Sequence, residues 1–139
     1  NAEWLQETAR HRVIIWNRFT EETMRNPVVG AGAGMAYWNP ASRLPMPGEQ
    51  FPRYSRDVHC VYLQIWYELG VVGAALFALL GLAILQRIQR MPDAIIPYAH
   101  GAFASAATTI ASSYGLWRPW FNLMFVLAVI AFAIGLRTL

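Results

Sequence analysis

The sequence predicts an all-α integral membrane protein, and three observations support that class. Of the 139 residues, 56% are hydrophobic and only 14% are charged, a balance outside the usual range of soluble domains. No charged residue occurs in the 17 positions of 69–85. Two further apolar stretches follow, at 94–113 and 119–136. We therefore expect an amphipathic helix and an irregular loop, followed by three transmembrane helices.

The first expected element is an amphipathic helix over residues 3–25. Its apolar positions recur at spacings of three and four, which is the period of one helix face, and Pro27 lies just beyond its end. Arg12 precedes Trp16 by four residues, close enough for the guanidinium to stack on the indole. A solvated charged face is the alternative interpretation. The positions that define the apolar stripe are Leu5, Ala9, Val13, Trp16, Thr20 and Met24.

An irregular loop is expected over residues 26–57, because prolines and glycines interrupt every periodic pattern there. Gly30, Gly32 and Gly34 alternate with other residues, but the Gly-Lys-Ser/Thr of a phosphate-binding P-loop is absent. The strand and helix that flank a dinucleotide fingerprint are not predicted either. Two interpretations remain for the glycines: a plain flexible turn, or a nest of backbone N–H groups that faces an anion.

The three transmembrane helices are predicted at about 66–85, 94–113 and 119–136. Adding Trp66 and Tyr67 to the uncharged run gives roughly the 20 residues that cross about 30 Å of hydrocarbon. Small residues spaced by four in the second helix favour close packing against neighbouring helices. Near the spans, arginines 87, 90 and 137 on one side balance arginines 53, 56 and 118 on the other. Charge therefore does not settle the orientation.

Several classes of function are disfavoured by composition and spacing. The single cysteine, Cys60, excludes an internal disulfide, and Cys60 with the three histidines matches no metal-ligand spacing. We predict no metal, no cofactor and no nucleic-acid partner. A first residue of asparagine without a leader-like region suggests a piece of a longer chain.

The motifs, taken in order along the chain, resemble the bacterial O-antigen ligase and O-antigen polymerase superfamily. The resemblance is close over about residues 10–85 and rests on hydropathy alone for the last two helices. The ordered combination carries it, since each piece by itself is degenerate. The pieces are Arg12-x-x-x-Trp16, then Asn26-Pro27-x-x-Gly30-x-Gly32-x-Gly34, then His59 followed by Glu68-Leu69-Gly70-x-x-Gly73.

This resemblance implies a multi-pass enzyme of the bacterial inner membrane, of which this chain would be the C-terminal part without the N-terminal helices. Such an enzyme moves a glycan from an undecaprenyl-diphosphate carrier to a sugar hydroxyl, such as one of lipid A-core, without a metal. Residues 1–65 would then form a periplasmic catalytic-loop region, and residues 66–139 a three-helix transmembrane region with a cytoplasmic loop at 86–93. O-antigen polymerase and protein O-oligosaccharyltransferase are the alternatives within the superfamily. A membrane permease subunit is the alternative from another class.

The chemistry of glycan transfer from a diphosphate requires a group that takes the acceptor proton and groups that hold the charge on the leaving diphosphate. We expect His59 to be the base, with an interfacial histidine capping the helix as the alternative. Arginine forks can bind two phosphate oxygens together. By resemblance Arg12 is the first choice, followed by Arg53, Arg56 and Arg118. Structural support is expected from Trp16, Gly30, Gly32, Gly34 and Glu68.

Direct pairing of His59 with Glu68 is not expected. If one helix covered both residues, their separation of nine positions would place them on opposite faces.

Overall fold

A computed structural model describes residues 7–39, 58–112 and 115–137 of the chain. Within these ranges every regular element is a helix. The helices are α1 (Glu7–Thr23), α2 (Met35–Trp38), α3 (Val61–Ile88), α4 (Ile96–Ser112) and α5 (Pro119–Arg137).

Helix α1 ends two residues before the end of the predicted helix, 3–25. It ends at Thr23 because Pro27 disfavours helical backbone ahead of it, and the chain turns over residues 24–29. Residues 3–6 lie outside the described part. Ile15, Phe19 and Thr23 form its buried stripe, spaced by four, and the Thr23 hydroxyl donates to the Phe19 carbonyl at 2.7 Å.

Helix α2 is a single turn within the region that the sequence predicts to be irregular. Gly34 precedes it with φ of 77°, in the left-handed region that favours glycine. Its Ala36 is buried against α1 and α3. A four-residue helix has no periodic signal long enough to be recognised in the sequence.

Helix α3 is broken at Gly70, where φ is 64° and ψ is −164°. The rings of Tyr62 and Phe77 lie with centroids 5.7 Å apart, although an unbroken helix would separate these residues by roughly 22 Å. The two halves therefore fold towards one another. We call residues 61–69 the first arm and residues 71–88 the second arm.

The break exposes backbone groups that an unbroken helix would pair internally, and in a membrane each unpaired group costs several kcal/mol. Segment 27–32 supplies their partners. The bonds are all 2.8 Å long: the Ala31 N–H donates to the Tyr67 carbonyl, the Gly32 N–H donates to the Glu68 carbonyl, and the Val71 N–H donates to the Pro27 carbonyl. Segment 27–32 thus acts as a splint across the break.

The splint requires glycine where two backbones touch. Gly30 has φ of 75°, and a Cβ there would lie 2.5 Å from the Glu68 carbonyl. A Cβ on Gly70 would overlap the Val28 carbonyl oxygen. The N–H groups of residues 30–32 already donate to main-chain carbonyls. Gly30 thus permits close packing, whereas a Cβ on Gly34 would meet nothing within 4 Å. The flexible turn and the anion nest stay open as interpretations of the three glycines.

The break at Gly70 falls inside the first predicted span, 66–85. The second arm alone has 18 residues, 71–88, which corresponds to about 27 Å and nearly matches a hydrocarbon core of about 30 Å. Trp66 and Tyr67 belong to the first arm. Among the described helices α3 is the one long and apolar enough to count as a span by length and composition, and the apolar part of α5, Pro119–Gly135, is shorter.

The first arm lies between two apolar clusters. On one side Val58 and Tyr67 pack with Ile15 and Phe19 of α1 and with Ala36 of α2, and the Tyr67 and Phe19 rings meet edge to face. On the other side Phe121 of α5 packs with Val61 and Ile65 of the arm in a second cluster. Val58, just before the first arm, is thus buried together with residues of α1 and α2.

Candidate functional site

His59 occupies an unusual backbone position immediately before α3. Its φ is 55°, the one positive φ among the described residues that are not glycine. A left-handed conformation of this kind costs on the order of 1–3 kcal/mol and persists only where the surroundings enforce it. Val58, which is 0% exposed, and Cys60, the extended residue that precedes α3, hold the chain on either side. His59 itself is partly exposed.

A hydrogen bond joins α1 to the chain beside His59. The Trp16 indole Nε1–H donates to the Val58 carbonyl at 3.1 Å. Arg12 lies one helical turn before Trp16 and is partly exposed. The sequence-predicted base and the first-choice arginine are therefore carried by two segments that this bond and the Val58 cluster fix together. Stacking of Arg12 on Trp16 is not among the contacts of the described residues.

Glu68 is the most buried charged residue of the described chain, at 1% exposure. Its Oε1 accepts from the Ala36 N–H at 3.2 Å and from Gln64 Nε2 at 3.1 Å. Its Oε2 accepts from Trp117 Nε1 at 2.7 Å. Because both carboxyl oxygens face only N–H donors, the arrangement suits an acceptor-only carboxylate. Glu68 thereby connects α2, the first arm and the turn between α4 and α5.

Gln64, four residues before Glu68 on α3, binds the same segment between α4 and α5. Its Oε1 accepts from the Leu116 N–H at 2.7 Å, and its amide nitrogen points to Glu68. Residues 115–118, which we call the arginine turn, lead into α5 and end with Arg118. The Phe121 and Asn122 N–H groups donate to the Arg118 carbonyl at the start of α5. Position 118 is thus set by how the turn lies on the first arm.

Sequence reasoning missed Gln64 and Trp117. Gln64 and Glu68 are spaced by four in a mostly apolar stretch, and that pattern could have marked a polar face of the first arm. Trp117 had no local signal, because its partner lies 49 residues away. His59 and Glu68 are not joined, and α3 begins only at Val61, so the assumption of one helix covering both does not hold.

Two of the predicted diphosphate ligands, Arg53 and Arg56, lie outside the described residues. Arg118 ends the arginine turn, whose Leu116 packs against the second cluster. The imidazole of His59 can take up a proton. The guanidinium groups of the arginines can bind anionic oxygens. Within the described ranges no group of three histidine, cysteine or acidic side chains is placed to hold a metal ion.

Comparison with known proteins connects this arrangement to glycan chemistry. The sequence profile described as O-antigen ligase matches residues 1–78, which contain α1, the splint, His59 and the break. Similar proteins with the provisional name "polysaccharide ligase" occur in Rickettsia conorii (28% identity over 121 residues), Rickettsia felis (26% over 119) and Rickettsia prowazekii (26% over 122). These alignments cover 83%, 83% and 85% of this chain but only 29%, 29% and 30% of the relatives. No solved structure matches the chain.

Proposed function

The chain belongs to the O-antigen ligase family, and from that premise we propose that it is the catalytic-loop and C-terminal part of a membrane glycan transferase. In the proposed reaction a glycan passes from an undecaprenyl-diphosphate carrier to a sugar hydroxyl of lipid A-core at the periplasmic face of the inner membrane. Because the chain spans about 30% of its Rickettsia relatives, the activity is proposed for the longer protein, with its further helices.

The hydrogen bond from Trp16 to Val58 is the observation that supports this proposal best. It joins the helix that carries Arg12 to the strained chain that carries His59. A base and an anion-binding group are the two components that transfer from a diphosphate needs. Here the base and the anion-binding group belong to two segments that are fixed to each other. A preorganised site requires such a fixed relation between its groups.

In the proposed reaction the acceptor oxygen forms a bond to the anomeric carbon while the bond from that carbon to the diphosphate oxygen breaks. His59 takes the proton of the acceptor hydroxyl as a general base. The leaving group is the carrier diphosphate, and guanidinium groups stabilise the negative charge that develops on it. We assign this role first to Arg12 and then to Arg53, Arg56 and Arg118.

Lipopolysaccharide from a strain that lacks the full-length gene tests the proposal. If the protein is a ligase, gel analysis should show lipid A-core bare of long glycan, and the wild-type gene should restore the ladder. Core that carries a single repeat would instead identify a polymerase. Unchanged lipopolysaccharide together with loss of glycan from a protein would identify protein glycosylation, and no change in either would contradict glycan transfer altogether.

A further inference from the structure

We infer that Glu68 is a positioning residue: with Gln64 it clamps the arginine turn, residues 115–118, onto the first arm and so sets where Arg118 meets an anionic substrate. This inference rests on the proposed function, because it assigns Arg118 to the diphosphate of the lipid carrier. It adds a buried carboxylate that acts through another residue and does not contact the substrate.

The clamp consists of two side chains on one face of the first arm that bind two successive residues of the turn. Gln64 accepts from the Leu116 N–H, and Glu68 accepts from the Trp117 indole, both at 2.7 Å. Gln64 also donates to Glu68 at 3.1 Å, which fixes the two side chains relative to one another. Two short bonds from adjacent turns of a helix leave the arginine turn little freedom to pivot.

The third donor connects the clamp to the other side of the first arm. The Ala36 N–H, in α2, binds the same carboxylate at 3.2 Å. The Glu68 backbone carbonyl accepts from Gly32 in the splint at 2.8 Å. One residue therefore holds the arginine turn, α2 and the splint in a fixed relation. α2 and the splint belong to the side on which α1 and Val58 pack.

The chemistry of the three donors explains why this position requires a carboxylate. A carboxylate has two oxygens that only accept, and here both face N–H groups. In Glu68→Gln the amide oxygen could keep the two donors at Oε1, but the amide nitrogen would then face the Trp117 N–H, donor against donor. A residue that only filled space would tolerate this isosteric change.

The test uses the full-length protein in liposomes, with donor KM and kcat measured separately and membrane abundance recorded. Arg118→Ala should raise the KM for the lipid-diphosphate donor at least about tenfold, the usual weight of a hydrogen bond to a charged group.

Glu68→Gln and Trp117→Phe should raise the same KM with little change in abundance. Glu68→Gln/Trp117→Phe should recover part of the loss of Glu68→Gln, because the facing donor is gone. Trp120→Phe, an exposed indole three residues along the chain, is the matched control and should leave KM unchanged.

Coupling between the variants separates positioning from stability. If the clamp positions Arg118, adding Glu68→Gln to Arg118→Ala should raise KM by less than about twofold beyond Arg118→Ala alone, whereas independent effects would multiply. Multiplying effects, or an unchanged KM in both Glu68→Gln and Trp117→Phe, would overturn the inference while glycan transfer by the wild type upholds the proposed function.

A readout independent of transfer completes the design. A nitroxide at Arg118→Cys, in a full-length protein lacking other cysteines, should give a broad spectrum with Glu68 in place and a sharper one after Glu68→Gln. An unchanged line shape would overturn the clamp even if the protein proved to transfer no glycan.

Discussion

At the scale of single residues, the site depends on one strained position. His59 adopts a φ of 55° between a fully buried valine and the residue that precedes α3. Strained positions of this kind concentrate where a side chain must be presented in one orientation. The positive φ of His59 is an observation separate from the acid–base chemistry for which the sequence selects this residue. Both single out the same position.

The first prediction compares two histidines in the full-length protein. His59→Ala should lower glycan transfer by about 10² to 10⁴-fold, the usual contribution of a general base, without lowering membrane abundance. His59→Asn should be equally inactive, although asparagine tolerates the left-handed backbone. His100→Ala is the control, because His100 lies in α4 with its Nδ1 3.1 Å from the Ile96 carbonyl, away from the first arm. Normal transfer by His59→Asn would remove the base from the proposal.

The second prediction concerns the planar fork of Arg12. Arg12→Lys should be nearly as damaging to transfer as Arg12→Ala, because lysine keeps the charge but cannot bind two phosphate oxygens together. Arg10→Lys, a partly exposed position two residues earlier on α1, is the control. Donor KM measured in liposomes decides the matter, and full activity of Arg12→Lys would show that charge alone suffices.

The residue types of the site were accessible from the sequence, whereas its supporting contacts were not. His59 is one of three histidines, and Arg12 is selected among eleven arginines by the family resemblance. The bonds from Trp16 to Val58 and from Trp117 to Glu68 cross 42 and 49 residues. No local pattern encodes such pairs, so the role of Glu68 could be named only as general support.

At the scale of elements, the break in α3 shows how composition can mislead. The uncharged run from Leu69 suggests one straight helix, and Gly70 alone does not exclude it, because glycine is common in membrane helices. Segment 27–32 stabilises the break through three main-chain hydrogen bonds. Segments that lie about 40 residues apart in the chain thus determine the shape of α3.

The third prediction tests this splint by adding one methyl group. Gly70→Ala should destabilise the full-length protein by at least about 2 kcal/mol, since alanine disfavours a positive φ and its Cβ would overlap the Val28 carbonyl. Gly101→Ala is the matched control, because nothing lies within 4 Å of a Cβ there. It should change stability by no more than about 1 kcal/mol. Thermal unfolding in detergent measures both, and equal stabilities would mean that the backbones do not touch at Gly70.

At the scale of the whole molecule, apolar side chains remain exposed along the second arm and α5. The second arm exposes Leu76, Leu79 and Leu80, and α5 exposes Leu127 and Val129. Such surfaces suit contact with lipid or with other apolar helices. Fold class followed from composition, because an excess of apolar residues is a property of the chain as a whole. The number of spans remains a prediction.

The fourth prediction concerns topology. If residues 1–65 are periplasmic, Cys60, which is partly exposed, should react with a membrane-impermeant thiol reagent in intact spheroplasts. Reporter fusions at Gln89, at the end of α3, should indicate the cytoplasm. Labelling of Cys60 only after lysis, together with a periplasmic reporter at Gln89, would reverse the proposed orientation.

The fold-back of α3 determines the level at which His59 lies along the second arm. Because Tyr62 meets Phe77, the start of the first arm lies about 10 Å along the second arm from Gly70, at about 1.5 Å per residue. His59 precedes that start, so if the second arm is the span, His59 lies beside that arm and not beyond the break. A diphosphate anchored by an isoprenoid chain could then reach this level while its chain stays in the bilayer. Withdrawing the chain would cost about 0.8 kcal/mol for every CH₂ exposed to water. The break thus brings the proposed reaction to the depth of its lipid substrate.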